Sequence, residues 1–471
     1  MKRPVSRIPA LLTSLLLFAS LLFIDVPGVL QQPVEDCPTA EAAVEIPLMT
    51  GPEALTPYPP EAPASPAPLL LWSKNFDAVS YQLEFFTELP EDLSAADISE
   101  KHCYFVPAVF TNAYNPAIDE FAADSIGRQA PLYWRVRAMN LAGNPISLFS
   151  LPEPLFTSAA QPRINSPLPN AFYNNHNGQV LLYPVYSWIG NHGAVQYEVE
   201  VLDELPENPD DTEPSIHRIY AAVQTNCELY DPEPRLGTGP FYWRVRGLDA
   251  EGNPVGVYSA AQPFKVNPED NWPIGIFGDS ISHGGGHLSY GPADWEYSYS
   301  TYLNFPTINL SQSGDTSQMM LERFDKDVLP FHPHYLLILG GSNSLRGGVP
   351  AADVIADLET IRQKCLQNNI KPILMTLPPI NPDNIAIAFN EETAGDWMTQ
   401  FALVNAYIRT QVHIDLAAAF DGPDEFLPTK YALDGLHLDV NGKILMGETI
   451  NAAWPSVSTL AEMQLAAAPD H

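Results

Sequence analysis

Read for its alternation of hydrophobic and polar positions, the chain changes texture three times. Residues 8–24 form an apolar run broken only by Pro9 and small polar residues, preceded by Lys2, Arg3 and Arg7 and ended by Asp25. A basic start followed by such a run predicts a secretory signal within residues 1–30, with an uncleaved N-terminal anchor as the second reading. Residues 31–66 carry a proline every few positions. Proline fixes φ and removes the backbone donor, so this stretch is predicted to be an extended linker.

Between residues 67 and 267 the pattern has period two, and it repeats. Trp72 is followed nine positions later by Tyr81, and Trp188 nine positions later by Tyr197. The run Tyr133-Trp134-Arg135-Val136-Arg137 recurs as Tyr242-Trp243-Arg244-Val245-Arg246, and both copies continue to a Gly-Asn-Pro, at 143–145 and 252–254. Trp and Val fall on one face of such a strand, Tyr and the two Arg on the other. This alternation predicts half-buried strands closed by turns, hence two antiparallel β-sandwiches at 67–160 and 161–267.

From 268 to 458 the texture is different again. Short apolar runs at 273–277, 307–310, 335–339, 371–376 and 413–416 alternate with amphipathic stretches; in one, Val354, Ile355, Leu358 and Ile361 recur at helical spacing. Alternating β and α elements predict a parallel sheet between helices, a three-layer α/β/α domain, with a tail at 459–471. In such sheets the active site lies at the carboxyl ends of the strands.

Composition narrows the partners. Acidic side chains number 56 against 23 basic ones, a net charge of -33. Nucleic-acid binding depends on Lys and Arg neutralising phosphates, so DNA and RNA are excluded as general partners. The four cysteines, Cys37, Cys103, Cys227 and Cys365, contain no CxxC, which excludes a zinc ribbon or a thioredoxin-type site. Cys103 and Cys227 occupy comparable positions in the two repeats, leaving an inter-domain disulfide and free buried thiols as alternatives; Cys365 is expected to be buried and inert. With the N-terminal signal, the expected location is extracytoplasmic: secreted, periplasmic or at the cell surface.

The residues able to do chemistry collect at one edge. The run at 273–277 leads into Gly278-Asp279-Ser280, that at 307–310 into Ser311-Gln312-Ser313-Gly314-Asp315-Thr316-Ser317, and that at 335–339 into Gly340-Gly341-Ser342-Asn343. Asp434-Gly435-Leu436-His437 stands before the final helical stretch. Each motif follows a strand or precedes a helix, so all four can converge at the carboxyl edge of the sheet. No Gly-x-Ser-x-Gly elbow is present, which argues against an ordinary α/β-hydrolase. The segment from His283 to His287 encloses three glycines and is expected to be a flexible loop at the pocket mouth rather than a metal pair. Trp295, Tyr299 and Tyr302 share a helical face and are expected in the core.

The order of these four blocks resembles the SGNH hydrolases, the GDSL esterase/lipase family, over about 190 residues. Ser-Gly-Asp-Thr-Ser, the glycine pair at 340–341 and Leu345-Arg346-Gly347 are most similar to its thioesterase and lysophospholipase-like branch. The repeat at 67–267 resembles a pair of fibronectin type III-like domains, read as spacers ahead of glycan-binding modules. The resemblance implies a flavodoxin-like α/β/α fold and a cofactor-free, metal-free hydrolysis of carboxylic esters. It implies Ser280 as nucleophile, His437 as general base and Asp434 as the group orienting that imidazole. The oxyanion hole would comprise the backbone N–H groups of Ser280 and Gly314 and the side-chain amide of Asn343. Asp279 would shape its turn by local hydrogen bonding. Ser344 departs from the Asp often found after the Asn in this family, which puts the support of Asn343 in question.

The expected partner is an ester substrate, an acylated carbohydrate or a lipid, with cell-envelope or glycan contact through the β-sandwiches. Short acyl groups such as acetyl on polysaccharide lead the reading; lysophospholipid or thioester hydrolysis is the alternative. A reading from another class is a surface adhesion protein retaining an inactive hydrolase fold.

Overall fold

The computed structural model describes residues 48–170, 180–420 and 426–466. The expected signal or anchor, Cys37, the opening stretch of the expected linker and the end of the tail lie outside the described residues. Among the described residues no helix is long and apolar enough to cross a membrane.

The repeat folds into two units of antiparallel sheet. In the first, Tyr104–Val109, Ser80–Phe86, Leu132–Met139 and Glu153–Leu155 lie in that order, with a short pair Leu70–Leu71 and Ala113–Tyr114. In the second, Arg218–Gln224, Gln196–Leu202 and Phe241–Leu248 form the centre of one sheet, and Glu228–Tyr230, Val185–Ile189 and Leu168–Pro169 another. Trp72, Tyr81, Trp134 and Val136 are buried in a core of the first unit, and Trp188, Trp243 and Val245 in a core that the second unit shares with the parallel-sheet domain. Trp134, Val136, Trp243 and Val245 are the positions that the period-two alternation assigns to the apolar face.

The other face of the repeated strand departs from expectation. Arg135 and Arg244 are buried, not solvated. Each lies opposite a glutamate on the neighbouring strand, and their Nε atoms donate to Glu84 Oε2 at 2.7 Å and to Glu200 Oε1 at 2.6 Å. The guanidinium of Arg135 packs over Phe149 at 4.4 Å and that of Arg244 over Tyr258 at 4.2 Å. A planar cation with a paired carboxylate and an aromatic face can be buried at tolerable cost. Alternation identifies the apolar side; it does not show that the other side is wet.

The expected linker also needs correction. From residue 48 the proline-rich chain lies along the first unit, with bridges from Ala54 to Trp72, Tyr58 to Leu155 and Ala64 to Thr157. The Tyr58 hydroxyl donates to the Leu69 carbonyl at 2.7 Å, and Ala64 and Ser65 are buried. Extended chain with few donors suits isolated edge contacts as well as it suits a spacer. Cys103, Cys227 and Cys365 are free thiols, so no disulfide joins the two units; Cys103 is exposed rather than buried, and Cys365 is buried in the core.

The remainder of the chain is built on parallel strands, Ile274–Gly278, Ile308–Asn309, Tyr335–Leu339, Lys371–Met375 and His413–Ile414. In space their order is second, first, third, fourth, fifth. Strand order reverses beside the first strand, the place where open α/β sheets bind ligands. Helices Ser317–Asp327, Ala351–Gln367 and Trp397–Ile408 pack side by side, and the long helix Val440–Ala466 packs on the fourth and fifth strands. Ala351–Gln367 buries Val354, Leu358, Ile361 and Cys365, a stripe at helical spacing.

One strand of this sheet comes from elsewhere. Val180–Leu181, in the second β unit, pairs in parallel with Ile308–Asn309 and extends the sheet to six strands. The boundary expected at 267 is therefore crossed by hydrogen bonds of the sheet itself.

Candidate active site

The last residue of the first strand is Gly278, and nothing larger fits there. A Cβ there would lie 2.1 Å from the backbone oxygen of Leu339 on the adjacent strand. The chain then enters a single helical turn, Ser280–His283, whose N-cap Asp279 accepts from the Ile281 N–H at 3.0 Å. Ser280 opens that turn and is 9% exposed. The second Asp279 carboxylate oxygen has no hydrogen-bond partner, and burial, reinforced by the Asp315 carboxylate, pushes the group up to about 7.

Asp434 and His437 reach the same point from a late loop. His437 Nε2 lies 2.9 Å from Ser280 Oγ, and Nδ1 lies 2.8 Å from Asp434 Oδ2. The other carboxylate oxygen of Asp434 accepts from the backbone N–H groups of Leu436 at 2.8 Å and His437 at 2.7 Å. With its proton on Nδ1 facing a buried carboxylate, the imidazole presents a lone pair to the serine hydroxyl. Gly435 permits the tight turn: its φ is +79°, and a Cβ would sit 2.3 Å from the Asn381 oxygen.

Gly314 and Asn343 follow the second and third strands, which flank the first. Gly314 has φ +88°. Asn343 Nδ2 donates to the Asp315 carbonyl at 3.0 Å, and its Oδ1 accepts from Arg346 Nη1 at 3.3 Å. These partners orient the amide with its NH₂ towards the loop that carries Gly314. At the next position Ser344 ties this turn to the helix Ser317–Asp327: its Oγ accepts from the Ser317 N–H at 3.0 Å, and Ser317 Oγ donates to Asp357 at 2.6 Å. The five residues singled out in the sequence thus fall into a bonded line, Asp434–His437–Ser280, and a flanking pair.

Two buried cations were missed by sequence reasoning. Arg323 donates to the carbonyls of Gly278 at 3.1 Å and Leu310 at 2.6 Å, pairs with Asp315 at 2.5 Å, and stacks on Phe277 at 4.3 Å. It ties together the ends of the first two strands and the loop after the second. Lys443 is fully buried, its Nζ donates to the Ile281 carbonyl at 2.9 Å, and burial pushes it down to about 8. A weak signal existed for both. Arg323 and Asp327 are four apart on one helix, and Lys443 falls at helical spacing with the buried Val440, Met446 and Ile450.

The His283–His287 segment is not at an open mouth: both imidazoles are 2% exposed. The loop is covered by the first β unit, where Lys74 pairs with Asp294 at 2.6 Å and Glu296 at 2.8 Å, and the Tyr81 and Tyr290 hydroxyls meet at 3.0 Å. Among the described residues no group of three or more His, Cys, Asp or Glu is placed to hold a metal ion. Trp295, Tyr299 and Tyr302 belong to two separate 3₁₀ turns, Trp295–Tyr297 and Tyr299–Tyr302, rather than one helix. Tyr297 and Tyr299 are fully buried, while Tyr302 is half-buried.

Residues 276–443 match the model of the GDSL-like lipase/acylhydrolase family. They form a GDSL-type hydrolase domain. Among solved structures, the chain is similar to a GDSL-like lipase from Bacteroides thetaiotaomicron, at 19% identity over 41% of this chain and 90% of that one, with a TM-score of 0.33. It is also similar to a lipase/acylhydrolase from Enterococcus faecalis, at 22% identity over 40% and 95%, TM-score 0.31. A variant of a Geobacillus acetyl-xylooligosaccharide esterase shares 19% identity over 38% and 92%, TM-score 0.30. No curated protein matches the chain. The two β units lie outside the GDSL-type match, which begins within the strand Ile274–Gly278.

Proposed function

We propose that the chain is an exported serine esterase that cleaves carboxylic esters through an acyl-enzyme. Ser280 Oγ attacks the ester carbonyl carbon while His437 Nε2 takes its proton; Asp434 keeps the imidazole in the required tautomer and stabilises the imidazolium. The negative oxygen of the tetrahedral intermediate is met by the N–H groups of Ser280 and Gly314 and by Asn343 Nδ2. Collapse expels the alcohol, which leaves with the proton carried by His437. Water, deprotonated by the same imidazole, then attacks the acyl-serine, and the acid is released as His437 returns that proton to Ser280 Oγ.

The observation that carries this reading is the continuous hydrogen-bonded line from Asp434 through His437 to Ser280. An inert scaffold has no need to hold a buried carboxylate, an imidazole and a near-buried serine in that register, which favours the enzyme over the adhesion reading. The basic and apolar N-terminal segment supports export, to the periplasm, the cell surface or beyond. Export together with two β units ahead of the hydrolase domain favours short acyl groups on carbohydrate as the substrate, contacted in some measure by the β units.

Hydrolysis of a chromogenic short-chain ester by the purified chain and by Ser280→Ala tests the reading. Wild-type turnover that disappears in the variant supports it; equal, buffer-like rates in both would sink it. A panel of acetylated oligosaccharides, lysolipids and acyl thioesters then ranks the substrate classes.

A further inference from the structure

His283 lies one turn after the nucleophile, and the mechanism above does not use it. Its ring makes a complete set of contacts. Nδ1 receives two groups from Ser313, the backbone N–H at 3.3 Å and the hydroxyl at 2.8 Å. Nε2 lies 2.7 Å from the carbonyl oxygen of Tyr183, which belongs to the second β unit. An N–H can only donate and a carbonyl can only accept, so one tautomer satisfies both sides: the proton sits on Nε2, and the Nδ1 lone pair receives Ser313. Burial pushes the imidazole down to about 4, with Arg323 and Lys443 adding to the effect.

What His283 joins gives the arrangement its meaning. Ser313 immediately precedes Gly314, whose N–H is the oxyanion donor of the proposed mechanism. Tyr183 immediately follows the segment that completes the sheet: Val180–Leu181 pairs with Ile308–Asn309, and the Leu182 N–H donates to Asn309 at 2.9 Å. The Tyr183 phenol donates to Asp327 at 2.6 Å, and Asp327 pairs with the Arg323 that holds Asp315. Tyr230, from the same β unit, closes over the His283 ring edge-on at 6.1 Å. The loop around Gly314 is thus braced at Ser313 and at Asp315, and both braces end on Tyr183.

We propose that His283 is a positioning residue that transmits the placement of the second β unit, through the Tyr183 carbonyl, to the Gly314 oxyanion loop. The β unit is then a working component of the hydrolase site rather than a spacer. This rests on the serine-esterase reading, because only there does the Gly314 N–H have a reacting atom to meet.

The test uses the full chain with two variants and a boronic acid that forms a tetrahedral adduct on serine. His283→Phe keeps the ring and removes both polar contacts; His283→Gln keeps one acceptor and one donor. Complete loss of an oxyanion donor costs about 10²–10³ in kcat. His283→Phe is expected to lose about 10²-fold in kcat, with KM within about threefold and boronate affinity weakened in parallel. His283→Gln is expected to stay within about tenfold of wild type, since its amide can serve both partners. A folded His283→Phe within about threefold of wild type, a His283→Gln as impaired as the Phe variant, or a loss carried by KM alone would each overturn the proposal.

Should the variants not fold, nitrogen-15 spectra of the wild-type imidazoles decide. The expected His283 signal is a neutral Nε2–H tautomer unchanged between about pH 5 and 9, consistent with the buried, doubly partnered ring. An Nδ1–H tautomer, or a ring that titrates in that range, contradicts it. If wild type and Ser280→Ala are equally inert, the esterase reading fails on its own terms, and the spectra still report whether His283 joins Tyr183 to Ser313.

Discussion

The ammonium of Lys443 donates to the carbonyl of Ile281, 2.9 Å away, in the turn that begins with Ser280. It is a fully buried cation whose charge acts on the buried carboxyls of Asp279, Asp434 and Asp439. Removing it leaves a carbonyl without its donor and three carboxyls without their cation. Leaving a buried carbonyl unsatisfied costs about 1–3 kcal/mol. Lys443→Met, close in length and apolar, is therefore expected to lower the melting temperature by several degrees or more and to reduce kcat. Calorimetry and steady-state kinetics check it; a variant as stable and active as wild type would show that the buried charge is idle.

Asp279 gives a pH signature. Its carboxyl is pushed up to about 7 in the folded chain, against an ordinary value of 3.8. Between those values the folded state holds a proton that the unfolded chain has released, so this group's contribution to stability falls as pH rises. Asp279→Asn keeps the cap on Ile281 and removes the titration. The melting temperature of the Asn variant relative to wild type is expected to improve from about pH 4 to about 7 and then level off. Comparing the two curves cancels His283 and His287, both pushed down to about 4, whose effect on stability has the opposite sign. A constant difference between the curves would refute the assignment.

The amide of Asn343 is held by Asp315 on one side and Arg346 on the other. Asn343→Ala should lower kcat by about 10²–10³ with little change in KM, as for a donor that acts in the transition state. Arg346→Met should bring a smaller loss in the same parameter, because the amide would lose the partner of its Oδ1 and keep only the Asp315 carbonyl. Single-substrate kinetics on a chromogenic ester separate the two.

Two glycines should fail in different ways. At Gly278 a methyl group would meet the Leu339 backbone oxygen at 2.1 Å, so Gly278→Ala has to push neighbouring central strands apart and is expected to give little folded protein. At Gly314 nothing lies within 4 Å of an added Cβ, but φ is +88°. Gly314→Ala is expected to fold with a strain of about 1–2 kcal/mol and to lose activity as the loop relaxes. Expression yield, circular dichroism and kinetics together distinguish these outcomes.

Much of the GDSL-type domain could be read from the chain because its strands are short, nearly continuous apolar runs, as strands buried on both faces are. The motifs after them needed only strand order to be brought to one edge. The elements that escaped owe their structure to distant chain. Val180–Leu181 is a two-residue strand with no alternation to reveal it. His283 reads as belonging to a glycine loop because what buries it, Tyr183 and Tyr230, lies far upstream. Arg135 and Arg244 look like a solvated face until Phe149 and Tyr258 are placed over them. Each of these is a tertiary effect, and local pattern carries no trace of it.

The strand Val180–Leu181 bears on anyone wishing to transplant the catalytic cassette. Cutting the polypeptide at the obvious composition change near residue 267 would strip the outermost rung from beside Ile308–Asn309 and expose a raw sheet margin that invites self-association. Any truncation meant to stay monomeric in the test tube has to begin well upstream of Val180.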